Sequence, residues 1–395
     1  MCGIIGFTGY CPAKDIIING LERLEYRGYD SAGFALLSET NDIIVKKRTG
    51  KVEELKKLCM NQEFPETCGI GHTRWATHGG VTDVNAHPHR CGKVVLIHNG
   101  IIENYRQLVV EYGLQDKLVS ETDSEVVAAL LDKFYESDPY SAIKKCVKVL
   151  SGAFALCIMF QDIPGKIFAI RNVSPMVATT CEKGSIIASD LTALVEFSKE
   201  YFVVPEYHIL TMTRDGIEVE TLKGEKVEPS MLTVNWDIKS AQKGGYPFFM
   251  LKEIYEQPDS IRNTVTPRVS NGLPDFTEDG IDDEVFANCK RITVVACGTA
   301  MHAGMVGKHI IEEKLRIPVQ VEIASEFRYK NPIIDSETLT IVLSQSGETI
   351  DTLEALKLAK ARGSKVISIV NVKGSTIARE SDYVLYTHAG PEIAV

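Results

Sequence analysis

The pattern of apolar residues changes character near residue 289, and that change constrains the fold more than any other feature of the chain. Up to about residue 235, short β-rich runs alternate with helical stretches. Examples are Gly33 to Leu37, Lys93 to Ile97, Ala153 to Phe160 and Lys166 to Arg171. Strands that follow one another across hairpin-length gaps predict antiparallel sheets with helices outside, an α+β arrangement. Helices are expected at Asp123 to Phe134 and at Leu191 to Phe197. After residue 289 the order becomes strand, helix, strand. Arg291 to Ala296, Val319 to Glu322, Thr338 to Leu343, Lys365 to Val370 and Asp382 to Tyr386 read as strands. Helices are expected after Cys297-Gly298-Thr299-Ala300 to about Leu315, and from Ile350 to a stop at Gly363. That alternation predicts a doubly wound parallel sheet. The overall class is α/β. Its expected domains are residues 2–235 and 289–390, joined by a polar linker over 236–288 that contains Gly244-Gly245-Tyr246-Pro247 and Glu256-Gln257-Pro258.

At 395 residues the chain has room for two cores. A net charge of −10 supplies no basic excess for phosphate neutralisation, so no nucleic-acid partner is expected. No apolar run approaches the ~20 residues of a membrane span, and no secretory signal precedes the first strand. Ten cysteines without paired spacing read as free thiols, and a cytoplasmic location is expected.

The chemistry begins at the second residue. Met1-Cys2-Gly3 invites removal of the initiator methionine, which leaves Cys2 with a thiol and a free α-amine. Their ordinary pKa values lie near ~8.5 and ~7.7–8, so proton transfer between them costs little. A nucleophile with its own base suits acyl transfer. Five groups of residues follow in order: Arg27-Gly28-Tyr29-Asp30-Ser31-Ala32-Gly33, Gly71 to Gly79, Asn85-Ala86-His87-Pro88-His89, Ile97-His98-Asn99-Gly100 and Glu121-Thr122-Asp123-Ser124. Asn99 and Gly100 suit an oxyanion site, although Asn-Gly alone equally signals a tight turn. Arg74 can clasp a carboxylate and Asp123 an ammonium group. The alternatives are a surface ion pair for Arg74 and a helix N-cap for Asp123. His87-Pro88-His89-Arg90-Cys91 groups potential metal ligands, but the spacing is unlike that of a zinc site and no metal is expected. His98 reads as a hydrogen-bonded core residue.

In this series of motifs the chain resembles the glutamine amidotransferases of the N-terminal-nucleophile class. Within that class it is most similar to the glutamine:fructose-6-phosphate aminotransferase family. The likeness implies a four-layer sandwich, glutamine hydrolysis at Cys2 and no cofactor. It also implies that Asn99 and Gly100 form the oxyanion hole and that Arg74, Thr77, His78 and Asp123 bind glutamine. Trp75 would gate passage between active sites. Arg27 would order the nucleophile's surroundings, with an internal salt bridge as the alternative. L-glutamine and fructose 6-phosphate are the expected partners, and the complete enzyme is expected to be a homodimer.

The second half resembles the sugar isomerase domain of phosphosugar-handling proteins. Ser344-Gln345-Ser346-Gly347-Glu348-Thr349 lies between a strand and a helix N-terminus, where main-chain N–H groups and the helix dipole favour an anion. Cys297-Gly298-Thr299 occupies the equivalent place after the first strand, and strand carboxyl ends are where such sheets bind ligands. Thr299, Ser344, Gln345, Ser346 and Thr349 are therefore the expected phosphosugar contacts; a serine-rich helix cap without a ligand is the alternative. Ala300 departs from the family, which often has serine there. Residues 391–395 are expected to begin a connection to a second sugar isomerase domain. That domain and a catalytic tail carry the family's ring-opening histidine, isomerising glutamate and Schiff-base lysine, so the chain is expected to be a fragment. A glutaminase-only hydrolase and a non-catalytic phosphosugar-binding regulator remain as alternatives.

Overall fold

The computed structural model describes residues 2–234, 243–287 and 289–394. Part of the expected linker, residues 236–242 and 288, lies outside them. The chain forms two compact units that divide between Gln242 and Lys243.

The amino-terminal unit is built on two antiparallel sheets. The first runs in the order Leu232–Thr233, Glu200–Val203, Val177–Cys181, Gly184–Ala188, Gly3–Gly9, Cys68–Arg74, Ser31–Leu37, Ile43–Thr49. The second runs Gly216–Thr221, His208–Thr213, Ile167–Asn172, Gly152–Phe160, Val94–Ile102, His89–Cys91. Their central strands are buried on both faces, and the period-2 alternation of strand side chains divides their residues between separate cores. From Gly3–Gly9, Ile5 and Phe7 pack outward against the helix Ala13–Leu24, while Ile4 faces the other sheet. From Gly152–Phe160, Ala155, Cys157 and Met159 meet Ile4 and Ile70 in the inner core. Phe154, Leu156, Ile158 and Phe160 turn outward against the helix Asp123–Phe134. The result is four layers: helix, sheet, sheet, helix. Three cores explain why these strands read as nearly continuous apolar runs rather than alternating ones.

One local expectation needs correction, and one alternative reading does not hold. Leu191 to Phe197 is no α-helix: a 3-10 turn covers Leu191–Ala193, and Asp190 caps it through the Thr192 N–H. Ala193, Leu194 and Val195 are all buried in the outer core, so side chains from every side of the segment must point inward, which one helical face does not allow. The Asn99-Gly100 turn is likewise absent. Both residues lie within Val94–Ile102, paired with Ala155 and Phe154.

The carboxyl-terminal unit carries a parallel sheet in the order Val319–Ile323, Arg291–Ala296, Thr338–Ser344, Lys365–Val370, Tyr383–Tyr386. Apolar residues cover both of its faces, as a parallel sheet requires. The chain first builds Arg291–Ala296, adds Val319–Ile323 on one side and then crosses to add Thr338–Ser344 on the other. The switch point therefore lies between the carboxyl ends of Arg291–Ala296 and Thr338–Ser344. The stretch read as a connector includes a helix, Phe249–Val265.

Candidate active site

Cys2 immediately precedes the central strand Gly3–Gly9, whose antiparallel neighbour Cys68–Arg74 brings Trp75 beside it. The Trp75 N–H donates to Cys2 Sγ at 3.2 Å. Burial pushes the Cys2 thiol up, opposed by that N–H and by the charges of Arg74 and Arg27. A raised thiol stays protonated at neutral pH and needs a base at the moment of attack. The Cys2 carbonyl accepts from Arg27 Nε at 3.2 Å and from Asn99 Nδ2 at 3.0 Å. Arg27 also pairs with Asp190 at 2.9 Å, so the contact with Cys2 and the internal salt bridge exist together. Tyr26 donates to the same Asp190 carboxylate, which fixes it.

Asn99 is buried in the strand opposite, and its Oδ1 faces His72 Nε2 at 3.0 Å. Gly100 adopts φ +134°, and a Cβ there would lie 2.0 Å from the Ala153 carbonyl oxygen, so only glycine fits. Asp123 does not cap its helix. Thr122 does, accepting from the Glu125 N–H, while the buried Asp123 carboxylate accepts from the Ile102 N–H at 2.8 Å.

Arg74 is no surface ion pair. It is buried, and its guanidinium donates to the carbonyls of His78, Gly79 and Gly80. Burial lowers its pKa against the pull of Cys2, Asp30 and Asp123. The segment 75–80 is held from several sides. The Ala76 N–H donates to Asp30 at 2.8 Å, the Gly80 N–H to Glu121 at 3.1 Å, and Asn85 Nδ2 to the Gly80 carbonyl at 3.0 Å. On this segment Trp75 is 45% exposed and meets Tyr29 edge-on at 5.5 Å. Thr77 is exposed, and His78 packs edge-on to Tyr105 at 5.7 Å.

The structure thus brings Cys2, Arg27, Trp75 and Asn99 into contact within the amino-terminal unit, with the charge of Arg74 acting on the thiol. Sequence reasoning gave no role to Asp30, His72, Asn85, Glu121 or Asp190. The first four sit inside the motifs already quoted, so their motif membership was the available signal. Asp190 carries none.

In the carboxyl-terminal unit, both candidate loops follow strands flanking the switch point. Ser344 Oγ accepts from the Gly347 N–H at 3.1 Å and lies 3.3 Å from Thr349 Oγ1. Ser346 Oγ accepts from the Glu348 N–H at 3.2 Å. Gly347 has φ +65°, and its carbonyl accepts from the Ile377 N–H at 2.9 Å. Gln345 is half-buried, and its carbonyl accepts from the Asn371 N–H. Thr299 is exposed in the first turn of the helix Gly298–Leu315. Cys297 and Thr349, the N-caps of the helices Gly298–Leu315 and Ile350–Ala361, do not cap their own helices through their side chains; Cys297 Sγ instead accepts from Thr352 Oγ1 at 3.7 Å.

A glutamine amidotransferase domain model matches residues 80–196 and a SIS domain model matches residues 285–395. The glutamine--fructose-6-phosphate aminotransferase of Clostridium acetobutylicum is 47% identical over all of this chain and 66% of its own length. The corresponding protein of Caldanaerobacter subterraneus subsp. tengcongensis is 46% identical over the same shares. The chain thus spans 66% of the length of these curated relatives. Among solved structures, glutamine phosphoribosylpyrophosphate amidotransferase from B. subtilis is 15% identical, with a TM-score of 0.51 over 98% of this chain and 90% of that one. That likeness bears on the fold alone.

The fold and the domain matches define the class: a glutamine amidotransferase domain of N-terminal-nucleophile fold joined to a SIS domain. Within it, the chain belongs by sequence with the glutamine--fructose-6-phosphate aminotransferases.

Proposed function

We propose that the chain hydrolyses L-glutamine at Cys2 and supplies the ammonia to fructose 6-phosphate bound in the carboxyl-terminal unit, for the synthesis of glucosamine 6-phosphate and glutamate. One observation carries the reading. The thiol of the residue that becomes the amino terminus sits against a backbone N–H, with a buried carboxamide donor on its carbonyl and a buried guanidinium beside it.

With Met1 removed, the α-amine of Cys2 takes the thiol proton as Sγ attacks the glutamine side-chain carbonyl carbon. Charge develops on the carbonyl oxygen, where the second N–H of Asn99 Nδ2 and the Gly100 N–H stabilise it. The amine returns the proton to the leaving nitrogen, ammonia departs, and water cleaves the γ-glutamyl thioester. Arg74 holds the substrate α-carboxylate, exchanging part of its hold on the carbonyls of residues 78–80, and Asp123 holds the ammonium. Thr77 and His78 complete the glutamine site, Trp75 gates it and Arg27 fixes the nucleophile. In the other unit, Ser344, Gln345, Ser346, Thr349 and Thr299 receive the phosphosugar at the switch point. The domain division is residues 2–235 and 289–390. On this reading the enzyme is cytoplasmic, needs no metal or cofactor, and as a complete enzyme forms a homodimer.

The test is glutamate release from L-glutamine by the mature chain, with and without fructose 6-phosphate, beside Cys2→Ala. Release that is lost in Cys2→Ala and stimulated by the sugar phosphate is expected. An unaltered rate in Cys2→Ala overturns the nucleophile assignment.

A further inference from the structure

Four histidines lie buried behind the nucleophile, and the chemistry above uses none of them: His72, His87, His89 and His98. Two are accounted for by the helix start, His89 Nε2 lying 3.1 Å from Thr122 Oγ1 and His98 Nδ1 2.8 Å from Ser124 Oγ. The other two lead toward the reacting atoms. We propose that His72, itself held by His87, is the positioning residue that fixes the Asn99 carboxamide with its NH₂ toward the nucleophile. The proposal rests on the oxyanion role assigned to Asn99.

Two backbone carbonyls, which can only accept, determine the proton positions. His72 Nε2 lies 3.0 Å from the His98 carbonyl oxygen, so Nε2 carries a hydrogen. The Cys2 carbonyl lies 3.0 Å from one end of the Asn99 amide, so that end is the NH₂. The Asn99 oxygen then faces His72 Nε2 at 3.0 Å, and the same N–H serves both acceptors. A flipped Asn99 would set its oxygen against the Cys2 carbonyl and its NH₂ against an N–H, two repulsive contacts in a buried site.

Behind this contact, His72 Nδ1 lies 3.0 Å from His87 Nδ1. Burial holds His72 down to about 3 and His87 well below the usual histidine range, so both are neutral at pH 7. With Nε2 protonated, His72 Nδ1 is a lone pair and His87 Nδ1 must donate to it. That leaves His87 Nε2 as an acceptor, and it is a buried atom without a hydrogen-bond partner among the described residues. The direction runs His87 N–H to His72, His72 N–H to the Asn99 oxygen, and Asn99 N–H to Cys2 and the developing oxyanion. A donor whose orientation is set before reaction loses nothing to reorganisation during it.

The experiment compares mature His72→Phe, His72→Gln and His87→Phe with the wild-type chain in steady-state glutamine hydrolysis. His72→Phe keeps the ring volume and removes the N–H. It is expected to lower kcat about 100-fold, on the scale of a lost oxyanion donor, with KM changed less than about threefold. His72→Gln, which retains an N–H donor, should recover at least about tenfold of that loss, which packing alone would not produce. A folded His72→Phe with wild-type kcat overturns the proposal. Should His72→Phe fail to fold, His87→Phe and the histidine tautomers decide. In ¹⁵N-histidine-labelled wild-type protein at pH 7, His72 is expected as the neutral Nε2–H tautomer and His87 as the neutral Nδ1–H tautomer. A cationic or Nδ1–H His72 overturns the proposal. Failure of the wild-type chain to hydrolyse glutamine would instead overturn the amidotransferase reading, while the tautomers still test the geometry.

Discussion

Replacing Gly347 and Gly298 by alanine, one at a time, separates two costs that are usually confounded. Both glycines stand in candidate phosphosugar loops with left-handed φ, +65° for Gly347 and +56° for Gly298. An alanine at such a φ costs about 1–2 kcal/mol in the backbone alone. It also loses less conformational entropy on folding than glycine does, an unfolded-state gain of about 0.4–1 kcal/mol that is the same at either position. The surroundings differ. A Cβ at Gly298 meets nothing within 4 Å, whereas one at Gly347 would lie 2.0 Å from Ser375 Oγ and 2.5 Å from Ser375 Cβ. Ser375 is buried and cannot swing into solvent. The loop is tied to the helix Thr376–Glu380 by Ile377 N–H to the Gly347 carbonyl and by Thr376 N–H to the Glu348 carboxylate at 2.8 Å. Relief of the clash must strain or break these contacts. Overpacking costs about 1–3 kcal/mol and each lost hydrogen bond about 0.5–1.5 kcal/mol. The backbone and entropy contributions cancel in the comparison, so Gly347→Ala should be less stable than Gly298→Ala by about 2–4 kcal/mol. Urea unfolding of the carboxyl-terminal unit measures the difference, and calorimetric titration with fructose 6-phosphate measures the site. Gly347→Ala should also lose sugar-phosphate binding. Equal stability of the two variants, with binding intact in Gly347→Ala, would refute the steric argument.

Asn99→Ala removes one oxyanion donor and should lower kcat for glutamine hydrolysis about 10²–10³-fold, with a smaller change in KM; the reverse pattern would move Asn99 to substrate binding. Arg74→Lys keeps the charge but loses the planar fork, so KM for glutamine should rise at least about tenfold in steady-state assays. Burial holds His72, His87, His89 and His98 below the ordinary histidine value, with His72 at about 3. The folded state thus binds protons more weakly than the unfolded chain. Stability is fully present above about 6.5 and falls as pH drops below it, by about 1.4 kcal/mol per pH unit for each such histidine. Urea midpoints of the amino-terminal unit at pH 7.5, 6 and 5 should fall accordingly, and less steeply in His72→Phe.

Both architectures were legible in the sequence for a physical reason: apolar runs with hairpin gaps and strand–helix alternation report local periodicity. The helix Asp123–Phe134 was recognisable because its apolar residues recur along twelve positions. Leu191 to Phe197 failed because burial of the consecutive Ala193, Leu194 and Val195 outweighs one turn of propensity. Asn99-Gly100 shows the opposite limit. The dipeptide favours a turn locally, yet pairing with Ala155 and Phe154 keeps it extended. Cys2, Arg74 and Asn99 were singled out as candidates by chemical type and motif, but their hydrogen-bond partners were not legible. That Asn99 reaches the Cys2 carbonyl and that His72 faces Asn99 depend on long-range register, whereas the three loop carbonyls served by Arg74 and the capping of the helix by Thr122 rather than Asp123 depend on the local path of the backbone.

The central claim, that Cys2 is the acyl-transfer nucleophile, is tested most directly by intact-mass analysis of the mature chain, acid-quenched during turnover of L-glutamine. The account predicts a mass increase of one glutamyl group, mapped to the peptide that begins at Cys2 and absent in Cys2→Ala. Glutamine turnover with the adduct on another residue, or undiminished in Cys2→Ala, would contradict it.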